Sequence, residues 1–165
     1  MAYYVVIRGP AAIGKTTVAK LLAKALRADY LSYDEIMKKH KLDSIVGDGI
    51  PSANFVKANK LIIPYVRKSL DEGKIMVLDG CFYRKEQLVH LEKELGFDHF
   101  IFTLKASLPE CIRRNAKRKN PMPKKAIKDV YSLVSTYNVG MNVGTSKMNG
   151  AETAKKMLVY LGKKN

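Results

Sequence analysis

The feature that most constrains the fold is the eight-residue stretch GPAAIGKT at residues 9–16, which matches the pattern G-x-x-x-x-G-K-[ST] in full. It follows the apolar run YYVVIR at residues 3–8 and precedes residues 15–26, whose apolar positions recur at helical spacing. A strand, a glycine-rich turn and a helix are therefore predicted in that order. This order lets successive backbone N–H groups converge on a phosphate chain, so the stretch predicts a site for a nucleoside triphosphate.

The residue types of this stretch predict a nucleoside triphosphate with Mg²⁺ as the cofactor. Lys15 is expected to reach the β- and γ-phosphate oxygens, and the Thr16 hydroxyl is expected to bind Mg²⁺. Asp79 ends the apolar run IMVLD and is a second candidate metal ligand, acting through water. A turn or cap role before Gly80 is the alternative for Asp79. The residues expected to hold the nucleotide phosphates are Gly9, Ala12, Ile13, Gly14, Lys15, Thr16 and Thr17.

Strand and helix patterns alternate along the whole chain. Strands are predicted at residues 3–8, 28–33, 74–80 and 97–104, with a short one within 138–146. Helices are predicted at residues 15–26, 35–40, 52–73, 84–96, 108–119, 124–137 and 150–162. The alternation predicts an α/β fold, a helix–sheet–helix sandwich of parallel strands. Ligands bind beyond the carboxyl ends of such strands, where Gly9, Asp34, Asp79 and Gly144 are predicted to fall.

Length and composition narrow the classes of protein that the sequence allows. The 165 residues suit one domain spanning residues 1–165. No apolar run approaches a membrane span and the amino terminus lacks a secretory signal, so a cytoplasmic protein without a membrane partner is expected. Cys81 and Cys111 lie thirty positions apart and the histidines are scattered, which disfavours a zinc site.

The net charge of +15 is concentrated in an acid-free block between residues 111 and 128. Its cations are Arg113, Arg114, Lys117, Arg118, Lys119, Lys124, Lys125 and Lys128. Such a block favours an anionic partner, namely nucleotide phosphates, a phosphorylated substrate or nucleic acid, whereas lysines that only aid solubility are the alternative. Because Asn120-Pro121 breaks the helix that bears the arginines, residues 113–125 are predicted to form a mobile lid. Arg114 and Arg118 share a helical face, so they are expected to clamp the phosphates after closure, which excludes water.

Asp34 directly follows the second predicted strand and should face the phosphate site. It is the candidate base or orienting carboxylate for an acceptor hydroxyl, and a helix N-cap role is an alternative compatible with this one. Residues 40–66 connect it to the third strand and should roof the acceptor pocket, where they offer Phe55, Asn59 and Tyr65. Core packing is the alternative for most of these residues.

The remaining sequence features favour phosphoryl transfer over a nucleotide switch. The base-reading N-K-x-D pattern of GTPases is missing from the sequence, since Asn59-Lys60 is followed by Leu-Ile within a predicted helix. Transfer of the γ-phosphoryl group of Mg-ATP to a small-molecule hydroxyl, on a nucleoside or another metabolite, is therefore the first hypothesis. The alternative is a nucleotide-binding module, or a 5′-hydroxyl kinase, that grips nucleic acid through its basic face.

Five stretches taken in order resemble the small P-loop kinases, the group that includes chloramphenicol phosphotransferase, polynucleotide kinase, gluconate kinase and zeta-toxin-like proteins. The stretches are RGPAAIGKTTVAKLLAKAL, SYDEI, IMVLDGCFYR, CIRRNAKR and NVGTS, and the resemblance covers essentially the whole chain. It implies the P-loop NTPase fold with a five-stranded parallel sheet, ATP and Mg²⁺. It also implies that Asp34 acts on the acceptor hydroxyl and that Arg114 and Arg118 belong to the lid. A loop from Asn142 through Gly144 to Thr145 would pack on adenine.

Two positions depart from the pattern of this group. Met37 stands where many relatives have an arginine, which bears on the type of acceptor. Gly144 stands where many have an acid, which bears on the adenine contact. Arg84, which follows DGCFY, is a candidate to supply the acceptor-side cation instead, and an ordinary helix-start residue is the alternative.

Overall fold

The computed structural model describes residues 2–162, and in them it shows one five-stranded, all-parallel sheet of strand order β2-β3-β1-β4-β5. The strands are β1 (Tyr4–Arg8), β2 (Asp29–Ser32), β3 (Met76–Asp79), β4 (His99–Lys105) and β5 (Met141–Gly144). The helices are α1 (Lys15–Leu26), α2 (Tyr33–Lys39), α3 (Ser52–Asp71), α4 (Lys85–Leu95), α5 (Leu108–Ala116), α6 (Lys124–Ser135) and α7 (Gly150–Gly162). The predicted fold class is confirmed. None of these helices within residues 2–162 has the length and apolar content needed to cross a membrane.

The central strands β1 and β3 bring the two predicted metal-binding segments together. Every residue of both strands is buried, as expected for short apolar runs covered by helices on both faces. Their parallel register places Ile7 beside Asp79. The turn that follows β1 and the carboxylate that ends β3 therefore lie at the same edge of the sheet.

Alternating side chains of β1 supply two separate cores, one on each face of the sheet. Val6 packs in a cluster with Ile62 of α3 and Leu91 of α4. Val5, its neighbour, points to the opposite face and packs in a cluster with Leu22 of α1. The helices thus cover both faces, which leaves the carboxyl edge of the strands as the place where loops can form a site.

The predicted helix boundaries differ from the observed ones at two places near the site. The helix after β2 begins at Tyr33, and the side chain of Ser32 caps it by accepting a hydrogen bond from the N–H of Glu35 at 3.3 Å. The expectation that Asp34 caps this helix is therefore wrong, because Asp34 already lies inside its first turn. The helix predicted over residues 108–119 ends at Ala116, since the following residues form an exposed turn.

Candidate active site

The turn between β1 and α1, residues 9–14, has the backbone conformation that an anion-binding loop requires. Gly9 adopts a φ of +156°, and a Cβ placed there would lie 3.1 Å from the carbonyl oxygen of Leu104, so a side chain would press against the main chain of β4. Gly14 adopts a φ of +99° next to open space. Helix α1 then begins without a side-chain cap and without an acidic residue in its first turn. Its first N–H groups are therefore available to an anion.

Lys15 is held against this loop as a charged group. Its side chain is buried, and Nζ donates a hydrogen bond to the carbonyl oxygen of Pro10 at 2.8 Å. Burial alone lowers the pKa of Lys15, but Cys81, Asp34 and Asp79 oppose burial and together raise the pKa above its ordinary value. The ammonium group therefore stays protonated at neutral pH.

Thr16 and Asp79 form an oxygen cluster that fits a magnesium ion. The Thr16 hydroxyl donates to Asp79 Oδ2 at 2.7 Å, and the Tyr30 hydroxyl, which the sequence analysis missed, donates to the same atom at 3.0 Å. Asp79 Oδ1 is buried and has no hydrogen-bond partner among the described residues. Hydroxyl and carboxylate oxygens are ligands that Mg²⁺ prefers, and a metal-bound water would satisfy the unpartnered oxygen.

Burial raises the pKa of the Asp79 carboxyl, while Lys15, Thr16 and Tyr30 oppose that rise. The carboxylate therefore lies in a setting where its negative charge is costly without a cation close by. This electrostatic state is a further reason why a divalent cation fits here.

Arg114 of α5 joins the phosphate-binding turn to the loop after β5. Its guanidinium donates to the carbonyl oxygen of Ile13 at 2.9 Å, to Thr145 Oγ1 at 3.1 Å and to the Thr145 carbonyl oxygen at 3.0 Å. It also forms an ion pair with Glu110 one turn earlier in α5. Arg118 is exposed one turn later and lines the same cavity. The structure thus brings both predicted lid arginines to the site.

The segment predicted as a lid is an exposed turn held by one buried side chain. Residues 117–125 are exposed. The Asn115 amide donates to the carbonyl oxygen of Met122 at 2.8 Å and accepts from its N–H at 3.0 Å. Asn115 is buried, and it was not identified from the sequence. Its two hydrogen bonds to Met122 close the turn.

Arg8, at the end of β1, anchors the helix that follows this turn. It is fully buried, and its guanidinium donates to the carbonyl oxygens of Val134 at 3.0 Å and Tyr137 at 3.3 Å, near the carboxyl end of α6. A cation there complements the helix dipole. Burial lowers the pKa of Arg8, although Tyr137 opposes this. The strand that precedes the phosphate-binding turn thereby fixes the carboxyl end of α6, the helix that follows the predicted lid.

A cavity of about 1000 Å³ joins these groups to a second, more apolar region. We call the part lined by residues 11, 12, 14–17, 114 and 118 the donor half. We call the part lined by residues 33, 34, 37, 38, 43, 45, 47–50, 55, 81–83 and 87 the acceptor half. The remaining lining residues are 122, 123, 125, 126, 129 and 130. Lys15, Thr16, Asp34, Arg114 and Arg118 therefore share one cavity, and Asp79 lies beneath Thr16.

The acceptor half contains only part of the segment predicted to roof it. Phe55 lines the cavity and Asp34 is exposed to it. Asn59 lies in the core, where it accepts from the Tyr33 hydroxyl at 2.7 Å and donates to the main-chain oxygen of Gln87 at 2.8 Å. Tyr65 is half exposed and is not among the described residues that line the cavity. Core packing, the alternative interpretation, therefore holds for Asn59.

Arg84 has a different role from the acceptor-side cation that the sequence suggested. Its Nε donates to the carbonyl oxygen of Ile50 at 3.1 Å, and another of its nitrogens pairs with Asp48 at 2.6 Å. The guanidinium also lies 5.3 Å from the centre of the Tyr83 ring. Arg84 therefore holds the loop over the acceptor half and, among the described residues, is not one that lines the cavity.

The loop expected to pack on adenine begins later than predicted. Asn142 and Gly144 belong to β5, where they pair in register with Thr103 and Lys105 of β4. Thr145 is the first residue beyond the strand, and it is buried. The expectation of a loop from Asn142 is thus wrong, because ladder pairing with β4 continues to Gly144. Of these residues, Thr145 is the one that contacts Arg114.

Comparison with known proteins gives the family and the fold. A family model described as an AAA domain (AAA_33) matches residues 5–134. The chain is 28% identical over 119 residues to a shikimate kinase from Corynebacterium efficiens, a match that covers 72% of this chain and 68% of that protein. It is 27% identical over 132 residues to a putative adenylate kinase from Methanocaldococcus jannaschii, over 79% of this chain and 66% of that protein.

A solved structure agrees with these matches at the level of fold. A sugar kinase from Janibacter sp. HTCC2649 superposes with a TM-score of 0.81 at 14% identity, over 98% of this chain and 95% of that one. The resemblance to small P-loop kinases that the sequence predicted is confirmed. None of these three proteins is named for nucleic acid, so the nucleic-acid alternative gains no support from them and stays a prediction from charge.

Proposed function

The chain belongs to the AAA_33 family of AAA domains, and on that premise we propose that it is an ATP-dependent kinase that phosphorylates a small-molecule hydroxyl. The observation that carries this proposal is the shared cavity of about 1000 Å³. It is lined by the phosphate-binding residues Lys15 and Thr16, by the carboxylate of Asp34 and by the lid arginines. Transfer needs a donor site and an acceptor site that open to each other, whereas hydrolysis needs only the first.

The donor half supplies the groups that hold and neutralise the triphosphate. The N–H groups of the turn and of the uncapped first turn of α1 would hold the phosphates, and Lys15 adds a positive charge beside that turn. Thr16 and Asp79 would hold Mg²⁺, which when bound neutralises charge on the β- and γ-phosphates. Arg114, fixed on the Ile13 carbonyl oxygen, places a guanidinium next to the same turn.

The acceptor half supplies the groups that orient and deprotonate the acceptor. Asp34 accepts the proton of the acceptor hydroxyl while the acceptor oxygen bonds to the γ-phosphorus. The bond between that phosphorus and the oxygen bridging it to the β-phosphate breaks, and ADP leaves with the electron pair. Closure of the lid, residues 113–125, would exclude water, which competes with the acceptor.

Acceptor-dependent release of ADP tests this function directly. The protein is incubated with Mg-ATP and a panel of metabolites, nucleosides and oligonucleotides, and labelled γ-phosphate is followed into the product. We expect one class of hydroxyl compound to raise ADP release above basal hydrolysis and to carry the label. Failure of well-folded protein to bind Mg-ATP in calorimetry would contradict the donor site, and label found only in inorganic phosphate would contradict transfer.

A further inference from the structure

We infer that the acceptor is an uncharged alcohol, and that the side-chain amide of Gln87 binds a polar group of it that offers a hydrogen-bond donor and an acceptor side by side. The inference rests on the proposed function, since it concerns the acceptor half of the same cavity. Three features of that half carry it: its charge balance, an unpartnered buried amide and its aromatic walls.

The charged side chains described in the acceptor half do not favour an anion. Asp34, Asp43 and Asp48 line it, against the single ammonium group of Lys38. Asp48 is paired with Arg84, which leaves two carboxylates facing one lysine. Lys125 also lines the cavity, and it is paired with Asp129 at 2.7 Å, so the two add no net charge. A carboxylate or phosphate on the acceptor would therefore meet net negative charge, and it would find no guanidinium from the described residues of this half to pair with.

Gln87 presents a buried amide that lacks its hydrogen bonds. Its side chain is fully buried and lines the cavity, and neither Nε2 nor Oε1 has a hydrogen-bond partner within residues 2–162. The amide lies close enough to the Tyr33 hydroxyl to oppose the rise in pKa that burial causes there, but not in hydrogen-bonding geometry. Its main chain is fixed, because its carbonyl oxygen accepts from Asn59.

A buried amide of this kind is costly unless a partner arrives. The side chain offers N–H donors and a carbonyl acceptor in one plane, so it complements a ligand with an acceptor and a donor next to each other. The edge of a nucleobase and a pair of neighbouring sugar hydroxyls both have this chemistry. A ligand group would reach the amide by displacing the side chains that now screen it from solvent.

Two aromatic pairs line the acceptor half together with Gln87. The rings of Tyr33 and Phe82 lie edge to face with centres 4.8 Å apart, and those of Phe55 and Tyr83 lie edge to face at 5.2 Å. All four residues line the cavity. Apolar rings exclude water and penalise a charged group, while they pack well against a neutral ring. The aromatic walls of the acceptor half, like its charged side chains, therefore favour an uncharged ligand.

Binding to the wild-type protein separates the candidate acceptors without requiring turnover. Nucleosides, neutral monosaccharides and the anionic compounds gluconate and shikimate are titrated in the presence of Mg²⁺ and a non-hydrolysable ATP analogue. We expect a neutral compound to bind, and the nucleoside and sugar arms tell the two sources apart. Preferential binding of an anionic compound, or binding of no neutral compound, would overturn the inference.

The variant Gln87→Met tests whether the amide makes the contact, because methionine fills a similar volume without polar atoms. We expect KM for the bound alcohol to rise about tenfold through loss of hydrogen bonds. KM for ATP should stay unchanged, and the melting temperature should not fall, since two unpartnered polar atoms are removed from the interior. Val89→Met, at a half-exposed position of the same helix, is the matched control.

An unchanged KM for the alcohol in Gln87→Met would overturn the role of the amide and would make it a structural group. Failure of the proposed function would give a different pattern of binding and label transfer. In that case a neutral compound binds to wild type with the ATP analogue present, and Gln87→Met weakens this binding, but no label passes from ATP to the compound.

Discussion

The donor and acceptor halves of the cavity differ in how completely their polar side chains are satisfied by the protein itself. In the donor half, Lys15 bonds to Pro10, and Arg114 bonds to Ile13 and Thr145. In the acceptor half, the amide of Gln87 has neither of its polar atoms paired within the described chain. The donor half is therefore organised before its ligand arrives, whereas in our proposal a ligand would supply the partners that the Gln87 amide of the acceptor half lacks.

This difference has a physical origin in how the two halves are assembled. The donor half rests on a turn of consecutive residues, fixed by Gly9 against β4 and by the start of α1. Fixed dipoles and charges are most effective when they need no reorganisation as the reaction proceeds. The acceptor half combines α2, residues 43–50, α3 and α4, so its shape depends on packing between distant segments.

Lys15→Ala should have the largest effect on phosphoryl transfer, because it removes the buried positive charge of the donor half. We expect phosphoryl transfer to fall by about a thousandfold or more, through loss of charge stabilisation at the transferring phosphate. The fold should be retained, which circular dichroism and thermal unfolding check. Lys24→Ala, at an exposed position of the same helix, is the control and should keep full activity. Turnover that survives in Lys15→Ala would place the triphosphate elsewhere.

Asp34→Asn should distinguish most clearly between the function of the acceptor half, measured as transfer, and that of the donor half, measured as affinity for Mg-ATP. We expect transfer to fall by about 10²- to 10⁴-fold, the range for loss of a general base, while the affinity for Mg-ATP stays unchanged. Calorimetry measures the affinity and labelled ATP measures the transfer. Glu35→Gln, at the exposed neighbouring position, is the matched control. Equal transfer in Asp34→Asn and wild type would remove Asp34 from the mechanism.

The fold and the donor half could be predicted because their signals are local. The stretch GPAAIGKT contains its own chemistry, and the alternation of strands and helices gives the layered sheet. The same locality explains the error at Asp34, since Ser32 and Asp34 both suit a cap and only the backbone decides between them. The error at Asn142 has a non-local cause, because the pairing of β5 with β4, a strand distant in sequence, decides where the loop begins.

Apart from Asn115, which contacts Met122 seven positions away, the residues that the sequence analysis missed act through contacts between distant segments. Tyr30 reaches Asp79 across 49 positions of sequence, and Arg8 reaches Val134 across 126. Gln87 did leave a signal, since it stands at helical spacing with the buried residues Leu91 and Leu95 of α4. A polar residue on an apolar helix face indicates a buried contact, but not which ligand or side chain makes it.

Arg114→Lys should test how far the donor half depends on geometry as well as on charge. Lysine keeps the positive charge but loses the planar group that contacts Ile13 and Thr145 together. We expect kcat to fall by about ten- to a hundredfold, with a smaller change in KM for the acceptor. Arg113→Lys, at the exposed neighbouring position, is the control. Equal kcat in the two variants would mean that charge alone matters.

Asp79→Asn should have the smallest effect when it is measured as the stability of the metal-free protein. It concerns Asp79 Oδ1, a buried oxygen beneath the donor half that has no partner within the described chain. Because burial raises the pKa of Asp79, the folded chain binds this proton more tightly than the unfolded chain. This group therefore contributes most to stability below its unfolded pKa, and the contribution is lost as pH rises through the raised folded pKa. The amide introduced by Asp79→Asn does not titrate, so the metal-free variant should equal or exceed wild type at pH 8 by about 1 kcal/mol.

Denaturant unfolding of both proteins at pH 5 and pH 8, without metal, measures this difference, and Asp98→Asn at an exposed position is the control. The order should reverse when Mg²⁺ and an ATP analogue are added, because the variant lacks the carboxylate that would hold the metal. If the variant is less stable than wild type at pH 8 without metal, the hydrogen bonds from Thr16 and Tyr30 outweigh the cost of the buried charge. In that case the carboxylate would be a structural group of the donor half, satisfied by the protein in the same way as Lys15.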